Sequence, residues 1–216
     1  MIDIASQIDA IHRTVGRQPI ADGEGIGILL RRRYAAPIED VWNALTEPER
    51  IRRWFMPVSG DLRAGGNFQL EGNAGGDILT CEPPALLSVT FGGPTSTLDL
   101  RLSSDGPDAT VLELEHTVPI EMAGSGAGAL YVGPGWDGAL MALDLYVDGQ
   151  VSDDPVAAAS SPEAQEFSMR SVSAWAAVIT SSETATSDEI SAAAELSLKQ
   201  FAPDLVAARD QDGSRG

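Results

Sequence analysis

Apolar positions along this chain fall into stretches of helical spacing and stretches of alternation, and the switches between them mark out its elements. Ile4, Ile8, Ile11 and Val15 recur at intervals of 4, 3 and 4, which predicts a short amphipathic helix stopped by Gly16, with residues 21–25 as a loop. Ile26, Ile28 and Leu30 then alternate into a first strand that ends near Tyr34. Residues 34–55, YAAPIEDVWNALTEPERIRRWF, return to helical spacing twice in succession. Ile38, Val41, Trp42 and Leu45 form one helix face behind Pro37, whose missing N–H is not needed at a helix start. Thr46 and Glu49 have the spacing of a capping box ahead of Ile51, Trp54 and Phe55, and Pro57 ends that second helix. Two helices this short cannot stand alone and must cover something apolar.

Strands follow near residues 67–71, 76–82, 86–92, 96–103 and 109–118. The clearest set Leu98, Leu100 and Leu102 against Asp99 and Arg101, and Leu112 and Leu114 against Glu113 and Glu115. Such alternation means an antiparallel sheet with one dry and one wet face, and residues 104–108 join the last two strands as a hairpin. Beyond Pro134, Trp136, Leu140, Leu143 and Val147 mark a long helix that runs to about Asp148. After a linker over residues 149–161, Pro162 opens a helix containing Phe167, Val172, Trp175 and Val178. Thr186 and Glu189 cap another that reaches Phe201, and residues 210–216 read as a frayed tail. This helical extension must pack on the rest of the chain or on a second subunit.

A hydrophobic fraction of 43% over 216 residues is enough for a real core. No apolar run approaches the length of a membrane span. The start MIDIASQIDA has acidic residues where a secretory signal has basic ones, so a cytoplasmic location is the expectation. Residues 1–54 balance their charges, and residues 55–216 carry the whole net charge of −18. Such a surface repels nucleic acid and anionic lipid. Arg31, Arg32 and Arg33 read as a strand edge with a solvated face. The single Cys81 and two histidines argue against a disulfide or a structural zinc site. Residues 123–128, AGSGAG, are a flexible loop; neither a following Lys-Ser/Thr nor a strand–helix context supports nucleotide binding.

Several of these pieces resemble one family. AAPIEDVWNALTEPERIRRWF is similar to a signature of the START-like (SRPBCC) superfamily, in its branch similar to the C-terminal domain of the Hsp90 ATPase activator. Gly65-Gly66-Asn67-Phe68-Gln69-Leu70 resembles its GGxFxL strand, and Thr110 to His116 its TxLxLxH strand. Residues 76–84 and 86–91 resemble the hairpin between them, and Gly135-Trp136 with Leu140 and Leu143 the start of its long final helix. The resemblance covers roughly residues 25–149 and implies an α+β helix-grip fold: a curved antiparallel sheet around a long helix, with two short helices after the first strand. It leaves residues 1–24 as an N-terminal helix and loop and residues 150–216 as a helical extension.

That fold leaves a cavity between sheet and helix, and the dry faces name its lining: Phe68, Leu70, Leu100, Leu112, Leu114, Trp136, Leu140 and Leu143, with Trp54 at the mouth and Trp42 in the core. His116 shares parity with Leu112 and Leu114 and points inward, either as a ligand-binding group and acid–base candidate or as a core histidine satisfied by the backbone or Tyr34. Arg32 has the parity of a second inward polar group, or equally sits past a twist and is exposed. His12 belongs to the surface of the first helix, and Cys81 is a buried inert thiol. No nucleophile elbow or metal motif is present, and no cofactor or metal is expected. Three functions are compatible with the fold. The first is binding of a small hydrophobic molecule; the second is a cyclase- or aromatase-like reaction using His116. The third is an Hsp90-type co-chaperone or other interaction module, against which the chain shows no counterpart of the activator's additional N-terminal domain. A homodimer through the terminal extensions is left open.

Overall fold

The computed structural model describes residues 2–150 and 152–213. One eight-stranded antiparallel sheet runs in the order β1-β2-β8-β7-β6-β5-β4-β3. Its strands are β1 (His12–Ile20), β2 (Gly23–Tyr34), β3 (Val58–Asp61), β4 (Asn67–Leu70), β5 (Gly75–Glu82), β6 (Leu86–Thr90), β7 (Thr97–Ser104) and β8 (Thr110–Pro119). The sheet curls around the long helix α5 (Gly133–Val147), and this is the helix-grip architecture. Alternation places one row of residues on the inner face. In β2 these are Ile26, Ile28, Leu30, Arg32 and Tyr34, all buried. Across from them on β8, Ile28 pairs with His116, Leu30 with Leu114 and Arg32 with Leu112. The next strand continues the row, with Leu98 opposite His116 and Leu100 opposite Leu114.

The N-terminus differs from the sequence expectation. Helix α1 (Ile4–Asp9) starts where the spacing predicts, with the Asp3 side chain capping the Ser6 amide. It ends early, and His12–Ile20 is the edge strand β1, paired with β2 from His12–Arg31 to Ile20–Gly23. Ile11 and Val15 are four residues apart, a spacing that shares a face in a strand as well as in a helix. The stretch HRTVGRQPI is poor in helix formers. The expected loop at 21–25 is instead a tight hairpin, with Gly23 at a φ of 123° that a side chain would resist. His12 is exposed, as expected, but on a strand.

Helices α2 (Ile38–Thr46) and α3 (Pro48–Ile51) follow β2. The expected capping box does not form. The residue before a proline is pushed out of the helical region, so the break falls at Glu47 (ψ 120°) and leaves Thr46 inside α2, its hydroxyl donating to the Trp42 carbonyl at 2.8 Å. Glu49 pairs with Arg52 instead. Trp42 is buried in the core. The AGSGAG segment is packed. It joins α4 (Ile120–Ala123) to a 3-10 turn at Gly126–Tyr131. A Cβ on Gly126 would collide with the Thr184 side chain, and the Gly126 amide donates to the Thr184 carbonyl at 3.1 Å.

The C-terminal helices are α6 (Pro155–Ala158), α7 (Pro162–Ser182), α8 (Ser187–Phe201) and α9 (Pro203–Gly213). Ser161 caps α7, and Thr186 with Glu189 makes a full capping box on α8. Helix α7 lies on α5 and β1 and buries Phe167, Val172, Trp175 and Ile179 against them. Gly133 lets the Trp175 ring reach α5, where a Cβ would sit 2.5 Å from it. Helix α9 continues into the stretch expected to fray. Residues 214–216 of that stretch, and residue 151 of the expected linker, lie outside the described residues.

Candidate functional site

Helix α5 presents its first face to the concave sheet. Trp136, Ala139, Leu140 and Leu143 follow the helical repeat and look toward β4–β8. The opposing walls do not fully meet them, and a cavity of about 170 Å³ remains. Nine expected site residues line it: Trp54, Phe68, Leu70, Leu100, Leu112, Leu114, Trp136, Leu140 and Leu143. Trp54 stacks on Phe55 at 5.3 Å, and its indole N–H donates to the Ala44 carbonyl, which holds the α3 end over the cavity. Phe55 lines it beside Trp54, and Phe91, Ala139 and Cys81 also line it and were not expected to. Cys81 is half-buried, where the sequence reading had it buried. It sits on β5 just past the register shift between Ile78 and Thr80.

His116, the tenth expected residue, lies just beyond this cavity. Its ring is 5% exposed and bonded at both nitrogens. The Trp136 indole N–H donates to Nδ1 at 3.0 Å. An indole can only donate, so Nδ1 is the acceptor and the proton sits on Nε2. Nε2 therefore donates to Ser96 Oγ at 2.9 Å. Burial lowers the His116 pKa to about 4, and the imidazole is neutral at physiological pH. Its partners are Ser96 and Trp136, not Tyr34, whose hydroxyl reaches the Leu140 carbonyl at 3.2 Å. Phe91 packs edge-on against His116 at 5.8 Å and tilted against Trp136 at 5.0 Å.

On the far side of Trp136 lies a second, outer groove of about 740 Å³. Its walls are the outer side of α5, the segment entering α7 and Trp54 and Phe55, which lie in the turn after α3 and not in the helix expected to reach them. Among the described residues, no cluster of His, Cys, Asp or Glu is placed to hold a metal ion.

The next face of α5 is anchored by charge. Asp137 is fully buried and accepts from Arg13 Nε at 2.8 Å, from the Ser171 hydroxyl and from Trp175 Nε1 at 3.1 Å. Burial pushes the Asp137 carboxyl up from its ordinary value, while the Arg13 charge and these hydrogen bonds pull it down. Two turns of helix along, Asp144 accepts from Arg32 Nη2 at 2.6 Å and from Gln7 at 2.9 Å. Arg32 is thus an inward group, 3% exposed, and only Arg31 and Arg33 are solvated. Sequence reasoning missed the Arg13–Asp137 pair. Its one signal is an acid one position from Trp136 inside an apolar helix; the helical reading of residues 4–15 hid Arg13.

A family model described as activator of Hsp90 ATPase homolog 1-like protein matches residues 35–148. The chain belongs to this family. As a family member within the START-like superfamily, it is similar to CalU16 from Micromonospora echinospora. The crystal structure of CalU16 shares 45% identity and a TM-score of 0.66, covering 79% of this chain and 98% of that one. The solution structure of the same protein gives 43% identity, a TM-score of 0.68 and coverages of 80% and 97%. The likeness to CalU16 is longer than the family-model segment, so it includes elements outside residues 35–148. EF2215 from Enterococcus faecalis, a conserved protein of unknown function, shares the fold at 15% identity (TM-score 0.57; coverages 81% and 95%). No curated protein matches this family member in sequence. Among the described residues, no helix is long and apolar enough to cross a membrane.

Proposed function

We propose that this protein binds a small hydrophobic molecule in the cavity between the sheet and α5. The observation that carries the reading is a lining of leucine, isoleucine, valine, alanine, phenylalanine and tryptophan, interrupted among the described residues only by Thr46, Arg63 and Cys81. Close packing is the rule in protein interiors, so an apolar void of this kind at the centre of the fold is the usual form of a small-molecule site. The fold is held around it from elsewhere, through the Asp137 and Asp144 anchors.

An acid–base role for His116 draws no support from its surroundings. Both nitrogens are engaged, and a proton shuttle there would first have to displace Trp136 or Ser96. The apolar stripe of α7 is consumed within the chain, which removes the reason to call on a second subunit for it.

Native mass spectrometry after mild purification, with thermal-shift screening of lipids and aromatic compounds, tests the proposal. Cys81 is the only cysteine and lines the cavity, so its alkylation reports occupancy. Bound compounds should raise the melting temperature and slow alkylation, and Leu114→Phe, which fills the cavity, should abolish both effects while the protein stays folded. A protein that retains no ligand and is stabilised by none of these compounds would sink the idea.

A further inference from the structure

Trp54, Phe55, Phe91, Trp136 and Ala139 border the inner cavity and the outer groove alike, so a single side-chain layer separates the two. The inner cavity, at about 170 Å³, is close to the ~150 Å³ void that accommodates benzene. It is well short of the roughly 300–1,000 Å³ typical of small-molecule sites. The groove, at about 740 Å³, supplies the missing space.

We propose that the cavity and the groove are two compartments of one site, divided by the Trp136 indole. The ligand is then an elongated neutral amphiphile, with an apolar head about one ring wide and a longer body that carries hydrogen-bonding groups. The inference rests on the binding role proposed above and adds the length and shape of the occupant.

Three observations support the division. Trp136 is half-buried and held at its indole edge by one hydrogen bond to His116, whose ring is in turn fixed by Ser96. A side chain held this way closes the space between the compartments and swings aside by breaking a single bond. Beyond it, Gly138 sits in the middle of α5 facing the groove, and a Cβ there would meet nothing within 4 Å. A mid-helix glycine is destabilising relative to alanine, and here no neighbour requires it, so the space beside it is left open on the groove side. The groove rim carries the neutral groups Asn73, Gln150 and Ser152. Its charged side chains are engaged: Glu163 accepts the Ile2 amide at 2.6 Å, and Arg53 lies over the Tyr146 ring.

The test uses ω-phenylalkanols of increasing chain length on the full chain, with affinity measured by calorimetry and occupancy by protection of Cys81 from alkylation. Affinity should keep rising with each methylene, by up to about fourfold per step, past the length the inner cavity holds. Gly138→Phe, which projects into the groove, should remove that gain for long members and leave the shortest unchanged. Trp136→Ala should admit a naphthyl head that the wild-type protein excludes. The Gly138→Phe substitution adds a side chain in open space on a helix, so its melting temperature should not fall, and that measurement shows it is folded. If affinity levels off at the cavity's own length and Gly138→Phe has no effect, the two-compartment inference is overturned while the cavity remains a binding site. If no member binds or protects Cys81, both proposals fall.

Discussion

Two faces of α5, about 100° apart around the helix axis, are built on opposite principles. Asp137 and Asp144 on one face are gripped by Arg13, Arg32, Gln7, Ser171 and Trp175, reaching in from α1, β1, β2 and α7. Trp136, Ala139, Leu140 and Leu143 on the other meet a mostly apolar surface, with one side-chain hydrogen bond from Trp136 to His116, and leave a void. Directional polar contacts fix the helix position from one side, so the apolar side does not have to collapse to hold it. The difference teaches that the terminal extensions, which supply Gln7, Arg13, Ser171 and Trp175, are part of what keeps the cavity open.

The comparison breaks most severely at Asp137. Asp137→Ala leaves the Arg13 guanidinium buried without its partner, and removal of one member of a buried pair costs about 3–5 kcal/mol. Equilibrium denaturation should show that loss, and a loss below about 1 kcal/mol would mean the anchored face does not hold the helix.

Against the apolar face, where it accepts from Trp136, His116 makes stability depend on pH. Its pKa is 6.5 when exposed and about 4 in the fold, so the unfolded chain binds a proton across that window that the folded chain refuses. Stability is full above pH 6.5 and falls as the pH drops from 6.5 toward 4, by about 3 kcal/mol. His116→Gln keeps an acceptor for Trp136 and removes the titration. The two unfolding curves should therefore converge at low pH, and parallel curves would contradict the neutral, doubly bonded imidazole.

The apolar face should tolerate what the anchored face does not. Leu114→Phe adds volume where space exists and should change stability by less than about 1.5 kcal/mol. Ser171→Val removes a donor to the buried Asp137 carboxylate and should cost about 1–3 kcal/mol despite its small change in size. Thermal melts of the pair sharpen the contrast, and equal losses would erase it.

Much of this architecture is legible in the residues. The alternation in β2, β7 and the middle of β8 arises because one side of each strand faces α5 and the other faces outward, and that parity places Leu100, Leu112 and Leu114 in the lining and sends His116 inward. Legibility fails where two periods coincide. Ile11 and Val15 suit a helix and a strand equally, and only pairing with β2 decides between them. It also fails where a side chain answers to a distant partner. Thr46 and Glu49 have the letters of a capping box, yet the conformational demand of Pro48 moves the helix break by one residue. Thr186 and Glu189, with no such neighbour, form the box as written.

Local spacing was sufficient to establish an antiparallel sheet with one dry face and a long helix with an apolar stripe, because hydrophobic periodicity reports which face of each element is dry; that the sheet curves around the helix is what the family resemblance implied. Spacing could not establish that Arg13 closes on Asp137, that Trp136 is tied to His116, or that the dry faces stop short of meeting. Those depend on residues up to 124 positions apart arriving at one place, and on how curvature and side-chain volume fail to match across the sheet and α5. The cavity is that mismatch, a property of the assembled surfaces that no single element carries.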